Sequence, residues 1–367
     1  MDSNTVVRKE TKNRIRVDYE GKLSFKERLM KKLKASNTWI KAVVNVCRFI
    51  LMLGVSYVIL YPFFAKIAGS FMTIEDIVSP TVALIPTNPT LEVYKVIAVE
   101  NHYVEAFFNT LLLSLFCAII QTLVACLVGY GLAKFKFKGN KLVMLVVVIT
   151  MIIPHLALET AMRMQFTEFD LFRVFAWNYS GPIEAIFGDV IHLDQTYWPL
   201  IILSATGLAF KNGLYIYLMR QFFRGVPDEL EESAYVDGAN TARTFFQIII
   251  PLSVPMMITI FLFSFSWQWS DTFYTRICFP IGLNSADMTY LMPDVVSVPV
   301  SVTKQYANHP GWTLYQPMVR NTAGMMAIAP LILLYLFCQR YLVQGIEPTM
   351  ATFLPSLCRR RISCSLS

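Results

Sequence analysis

The residues with chemical potential in this sequence are the polar ones set inside or at the ends of long apolar runs. His155 and Glu159 stand four apart after Pro154, Lys211 and Asn212 are adjacent, and Trp267, Gln268, Trp269 and Asp271 close another run. Charged groups at membrane depth are costly and are functional candidates by default. His155 and Glu159 would share a helix face, where they either line a pathway or pair with each other at a helix end. Aromatic faces beside a few planar polar groups suit a sugar, whose C–H surfaces pack on rings while its hydroxyls are satisfied by the polar atoms. The same tryptophans would equally form an interfacial belt at a span end.

No constellation here supports hydrolysis or phosphoryl transfer. The sequence has no Gly-x-x-x-x-Gly-Lys-Ser/Thr loop, no His-Glu-x-x-His and no Gly-x-Ser-x-Gly. The seven cysteines have no zinc-type spacing, and most lie in apolar runs, so they read as packing residues rather than a disulfide framework. No metal site, bound cofactor or nucleic-acid partner is expected.

The elements that must position these residues are membrane spans. The 367 residues are 55% hydrophobic and 16% charged, with a mean hydropathy of +0.49. A soluble chain carries about 25% charged residues. Six apolar runs approach the roughly 20 residues needed to cross a bilayer: Val43–Phe64, Phe107–Ala133, Leu142–Met162, Tyr197–Met219, Leu252–Trp269 and Thr322–Cys338. The expected architecture is all-α, a polytopic protein of the cell membrane with six transmembrane helices. Of the 32 Lys and Arg, 23 fall in the leader 1–42, the connection 134–141, the loop 220–251 and the tail 339–367, against seven in the connections on the other side. Cytoplasmic flanks retain Lys and Arg, which places both termini and the 220–251 loop inside. The chain thus divides into a basic leader (1–42), a six-span domain (43–346) and a cytoplasmic tail (347–367). Long aromatic-rich connections at about 65–106, 163–196 and 270–321 lie outside.

The cytoplasmic loop is unusual for its position. "PDELEESAYVDGAN" (227–240) holds five carboxylates and no Lys or Arg. Asp228 reads as an N-cap, with Glu231 at the third helical position as in a capping box. Acidic residues in the first turn suit the helix dipole. Glu231, Ala234 and Tyr235 would share one face, and Gly238 ends the helix where a left-handed backbone is cheapest. A second helical run leads to Pro251. An acidic helix–Gly–helix elbow is poorly placed against anionic lipid and better suited to a protein groove.

Glu232-Ser233-Ala234, then Gly238 after three residues, then Ile248-x-Ile250-Pro251 after nine, resembles the EAA loop of binding-protein-dependent ABC importer permeases. Ser233 and Ile250 depart from the usual Ala and Leu. The stretch 217–240, "FSFSWQWSDTFY" (263–274, with Ser270 in an Asn position) and "QRYLVQGI" (339–346) are similar to the carbohydrate-uptake branch, in the subunit like the maltose-system permease MalG. After Ile346 the ending departs from that pattern.

The resemblance implies a MetI-like permease fold and an inner-membrane subunit that couples ATP hydrolysis elsewhere to alternating access for a sugar or oligosaccharide. It implies cytoplasmic ABC ATPase subunits that use the ATP, a second, MalF-like permease subunit, an extracytoplasmic solute-binding protein and surrounding lipid as partners; the 163–196 connection, longer than that branch leads one to expect, is the candidate for docking the solute-binding protein. Carried over by position, the ATPase-coupling residues are Glu231, Glu232, Ser233, Ala234, Asp237, Gly238, Ile248 and Pro251, with Glu232 contacting the ATPase and Gly238 making the turn. The substrate-path candidates remain His155, Glu159, Asn212, Trp267, Gln268, Trp269 and Asp271. An importer of a polyol phosphate or polyamine would carry the same elbow. A self-contained secondary transporter would show inverted repeats or broken half-helices, and neither is visible in the sequence.

Overall fold

The computed structural model describes residues 8–10, 16–18, 36–82, 84–169, 192–193, 196–279 and 289–363, with side chains at 39 and, within those ranges, at 43–339. The chain forms two compact units, Met1–Ala68 and Gly69–Ser367. In the first, β1 (Arg8–Glu10) and β2 (Arg16–Asp18) make a short antiparallel ladder, Lys9 opposite Val17, and α1 (Ser36–Gly69) follows. That ladder is a small departure from the all-α expectation.

The described elements of the second unit are helices joined by turns and irregular connections. In order it comprises α2 (Ile74–Val78), α3 (Glu92–Glu100), α4 (Tyr103–Lys134), α5 (Asn140–Ile152), α6 (Glu159–Thr167), α7 (Trp198–Thr206), α8 (Asn212–Gly225) and α9 (Glu229–Val236). It continues with α10 (Thr241–Trp269), α11 (Phe273–Cys278), α12 (Met292–Val295), α13 (Val300–Tyr306) and α14 (Trp312–Ser363).

Among the described residues four helices are long and apolar enough to cross a bilayer: Val43–Gly69, Tyr103–Lys134, Thr241–Trp269 and Trp312–Gln339. The other two expected spans are interrupted. Leu142–Met162 is α5 and α6, bent by 95° across a break at residues 153–154. Pro154 disfavours a helical backbone at Ile153, which is extended at φ −63°, ψ 122°. A short 3-10 turn, His155–Leu158, then leads into α6. Tyr197–Met219 is α7 and α8, parted at 207–211. Gly207 (φ +77°) caps α7, the Leu203 carbonyl accepts from Leu208 and Ala209 (3.0 and 2.9 Å), and the backbone turns left-handed again at Lys211. Both runs, continuous in the sequence, are therefore broken into shorter helices. The fifth span begins earlier than Leu252: the run 241–251 joins it without a break through a widened turn at Phe245–Ile249. Pro251 cannot donate to the helix ladder, and a widened turn next to it accommodates the lost bond.

Close backbone approach sets the bundle. A Cβ on Gly129 of α4 would meet Met219 Cβ of α8 at 2.6 Å, and one on Gly213 of α8 would meet Thr150 Oγ1 and the Val147 carbonyl of α5 at 2.6 and 2.9 Å. Small residues at such crossings let apolar helices gain dispersion contact where no hydrophobic drive exists between them. α10 packs between α4 and α14. Three cores result. One gathers Ile97, Met292, Val295, Tyr315 and Trp269, where Asn101 Nδ2 also donates to the Val295 and Ser297 carbonyls (2.8 and 3.0 Å). A second gathers Tyr130, Met219, Phe223, Phe245 and Ile249 beneath α9 and the start of α10. The third gathers Cys117, Leu200, Leu203, Tyr274 and Cys278.

Candidate functional site

The acidic elbow is α9, a glycine turn and the start of α10. Gly238 adopts φ +81°; its N–H donates to the Tyr235 carbonyl (3.0 Å) and that of Ala239 to Ala234 (2.9 Å), which closes α9 as expected. Asn240 then caps α10, its Oδ1 accepting from Arg243 N at 2.8 Å. The N-terminal end differs from the expected capping box, because Asp228 makes no side-chain cap bond. Its Oδ1 instead accepts from Lys134 Nζ at 2.6 Å, and the same ammonium donates to the Val226 carbonyl at 2.7 Å. Lys134 is the last residue of α4, so one buried cation ties the elbow to a span. It holds the Asp228 carboxyl below the ordinary carboxylate range, chiefly through that hydrogen bond and then through its charge.

Glu231 turns inward, 8% exposed, with Oε2 accepting from Tyr130 at 3.4 Å and Oε1 3.5 Å from Lys134 Nζ. Oε1 meets the ammonium at ion-pair distance without hydrogen-bond geometry, which leaves it otherwise unpaired. Ala234 is buried beside it, whereas Tyr235, expected on the same face, is 42% exposed. The outward face presents Glu229, Glu232, Ser233, Asp237 and Gly238 together with Leu230 and Val236, the last 88% exposed. Ile248 lies in the widened turn, half-buried, and Pro251 is exposed at the start of the α-helical part of α10. The elbow thus has an anchored inner face and a free outer face of mixed acidic and apolar character.

The membrane-depth candidates separate. His155 lies beside Tyr274, whose hydroxyl is 2.8 Å from His155 Nδ1, and beside the Phe210 ring at 4.9 Å. Lys211 Nζ is 4.7 Å from the Phe210 ring centre and 5.3 Å from that of Trp267, which in turn stacks edge-on to Phe210. Of these groups His155, Lys211 and Tyr274 line a cavity of about 480 Å³ at the two helix breaks, walled also by Pro154 and Leu203 among others. Glu159, one turn from His155, is exposed and does not line it. Trp269 is a core residue, 2% exposed, donating through Nε1 to the Ala327 carbonyl at 2.9 Å. Asp271 is absorbed by α11: its oxygens accept from the N–H groups of Phe273, Tyr274 and Thr275 at 3.3, 3.3 and 2.9 Å. Burial pushes its carboxyl upward against those bonds. Asn212 is buried and donates to the Ser204 carbonyl at 3.2 Å, bridging the break between α7 and α8.

The profile of the binding-protein-dependent transport system inner membrane component family matches residues 121–348, which takes in the elbow, both helix breaks and α10. The chain belongs to that family. Among curated relatives of this permease, the polygalacturonan/rhamnogalacturonan transport system permease protein YtcP of Bacillus subtilis is 28% identical over 304 residues, 81% of this chain and 93% of its own. The probable starch degradation products transport system permease protein AmyC of Thermoanaerobacterium thermosulfurigenes is 26% identical, covering 83% and 96%. A crystallised bacterial ABC transporter involved in import of the acidic polysaccharide alginate has a chain of the same fold. The TM-score is 0.58 at 21% identity, over 84% of the permease and 98% of that chain.

Two features of the permease escaped the sequence reading. Lys134 counted only as a topology charge, since nothing local marks it as the partner of a loop 94 residues on. Gln121 of α4 donates to Ser204 Oγ of α7 at 3.0 Å and accepts from Ser264 of α10, so three helices share one buried polar knot. Gln121 is a lone amide in an apolar run, and the available signal was its cost at membrane depth.

Proposed function

We propose that this chain is the permease subunit of an ATP-driven, binding-protein-dependent importer for a sugar or oligosaccharide, and that its elbow is the handle through which a separate ATPase moves it. The carrying observation is mechanical. Lys134 fastens the root of α9 to α4, and beyond Gly238 the elbow runs into α10 without interruption. A push on the outer face of α9 is thereby transmitted to two spans as a rigid-body motion. Glu232, Ser233 and Asp237 are the contact residues, flanked by Leu230 and Val236; Glu231 and Ala234 hold the handle in place, and Ile248 and Pro251 lie along the stiff joint.

The six-crossing topology with both termini in the cytoplasm fits this reading, with the bent α5–α6 pair and the broken α7–α8 pair each serving as one crossing. The ATPase uses the ATP, a second permease subunit completes the pathway, lipid surrounds the spans, and the outer connections receive the solute-binding protein. The 163–196 connection suggested for that docking falls mostly outside the described residues. Sugar names on the permease relatives support the substrate class. Copurification from the native membrane tests the assembly: an ATPase and a second permease are expected with the tagged chain, and neither appearing would sink the proposal. Glu232→Lys is expected to abolish uptake while the chain still inserts.

A further inference from the structure

Lys211 is out of place among the cations of this chain. Arg220, nine residues later, donates from Nε to the Leu132 carbonyl at the Lys134 end of α4 (3.3 Å). Lys211 stands inside the apolar run 197–219, expected at membrane depth, nine residues before Arg220. A charge at that depth needs a counter-charge or a wet cavity. Among the described residues no carboxylate lies within ion-pair distance of Lys211. Asp271, at the adjoining α10–α11 turn, spends its oxygens on three backbone N–H groups.

Its backbone is also unusual. Lys211 has φ +66°, one of two left-handed non-glycine residues among those described. That conformation costs about 1 kcal/mol or more and persists only where the surroundings fix it; such strain gathers at binding sites. The surroundings here are an Asn212 N–H bond to the Ala209 carbonyl (3.0 Å) and a Tyr215 N–H bond to the Lys211 carbonyl (3.1 Å). The ammonium rests against Phe210 and Trp267, a contact worth about 0.5–2 kcal/mol, weaker than a charge-assisted hydrogen bond to an anion. The cavity beside it falls within the range of small-molecule sites. Its polar wall is Lys211, His155, Tyr274 and Thr150, the last donating its hydroxyl to the Val147 carbonyl; much of the rest is apolar.

We infer that Lys211 supplies the counter-charge for a carboxylate carried by the transported sugar, so that the cavity takes a uronic acid unit. The carboxylate meets Lys211 Nζ, the ring hydroxyls face the His155–Tyr274 pair, and the sugar's C–H face packs on the apolar wall of Leu158, Leu203 and Leu208. This rests on the sugar-import reading and narrows it to acidic oligosaccharides.

Uptake by cells carrying the whole transporter tests it, with labelled trigalacturonate, its methyl ester and galactotriose as probes. The ester removes only the charge. Wild-type cells are expected to take up the acid at least tenfold faster than the ester. Lys211→Gln should collapse that ratio by at least tenfold, and Lys211→Arg should restore most of it. Because the solute-binding protein is the same in every strain, a change in ratio reports on this chain. A wild-type ratio near one overturns the inference without any variant, as does a ratio unmoved by Lys211→Gln; in either case uptake of galactotriose or ester leaves sugar import standing. Uptake of none of the three overturns both readings.

Discussion

Lys134 Nζ, at the end of a 32-residue helix, lies 2.6 Å from Asp228 Oδ1 and 2.7 Å from the Val226 carbonyl, although 94 and 92 residues separate them in sequence. This one side chain joins the acidic elbow to α4, the connection on which the proposed coupling depends. Its own side chain is 8% exposed, and that of Glu231 is 11% exposed. Replacing it with Met strands a buried carboxylate, and breaking such a pair costs about 3 kcal/mol or more. Lys134→Met should therefore loosen the elbow and lower transport by tenfold or more while ATP hydrolysis continues, an uncoupled phenotype. Adding Glu231→Gln should recover part of the loss. Equal uptake by Lys134→Met and wild type would remove the anchor from the mechanism.

The same contact sets an acid limit. The folded-state pKa of Asp228 is depressed by Lys134. A depressed acid contributes its stability fully above the ordinary Asp pKa and loses it as pH falls through the lower, folded value. Amide exchange at Glu232 and Ala239 should thus stay slow through the ordinary carboxylate range and quicken only below it. Asp228→Asn should remove that acid step, and exposure of Asp228 keeps the effect on global stability small.

Gly129 sets the distance between α4 and α8. A side chain there would collide with Met219 Cβ and the Arg220 backbone, neither of which is a flexible tip. Gly129→Leu should lower thermal stability of the purified protein by about 1–3 kcal/mol, the usual cost of overpacking. Gly131→Ala makes the control, since a Cβ there meets nothing within 4 Å.

Gly238 is constrained by its backbone alone: φ is +81° and a Cβ would meet nothing within 4 Å. Gly238→Ala should cost about 1 kcal/mol and reduce coupling mildly. Gly238→Pro fixes φ near −65° and deletes the donor to Tyr235 O, so it should abolish uptake with insertion intact. If the Pro variant transports as well as the Ala variant, the turn is not what sets the coupling geometry.

Hydropathy, Lys and Arg asymmetry and the fixed spacing from Glu232 to Pro251 made the helical membrane class, the family and the elbow legible in one dimension, because lipid demands long apolar helices and a helix–Gly–helix turn needs its residues in local order. The Gly238 closure of α9 followed from the same local rules. Tertiary structure alone decided the rest. Two runs that read as continuous are broken at Pro154 and at 207–211, because a polar interior and close neighbours re-satisfy backbone groups that hydropathy averages cannot see. Trp269, open in the sequence to a sugar subsite or an interfacial belt, donates to the Ala327 carbonyl in the core and Asp271 accepts from the first N–H groups of α11, while Lys211, His155 and Tyr274 come together from three separate segments. Which side of an all-apolar helix faces its neighbours carries no periodic signal, so only packing could assign Lys134 to the elbow, Gln121 to the polar knot and Lys211 to the cavity.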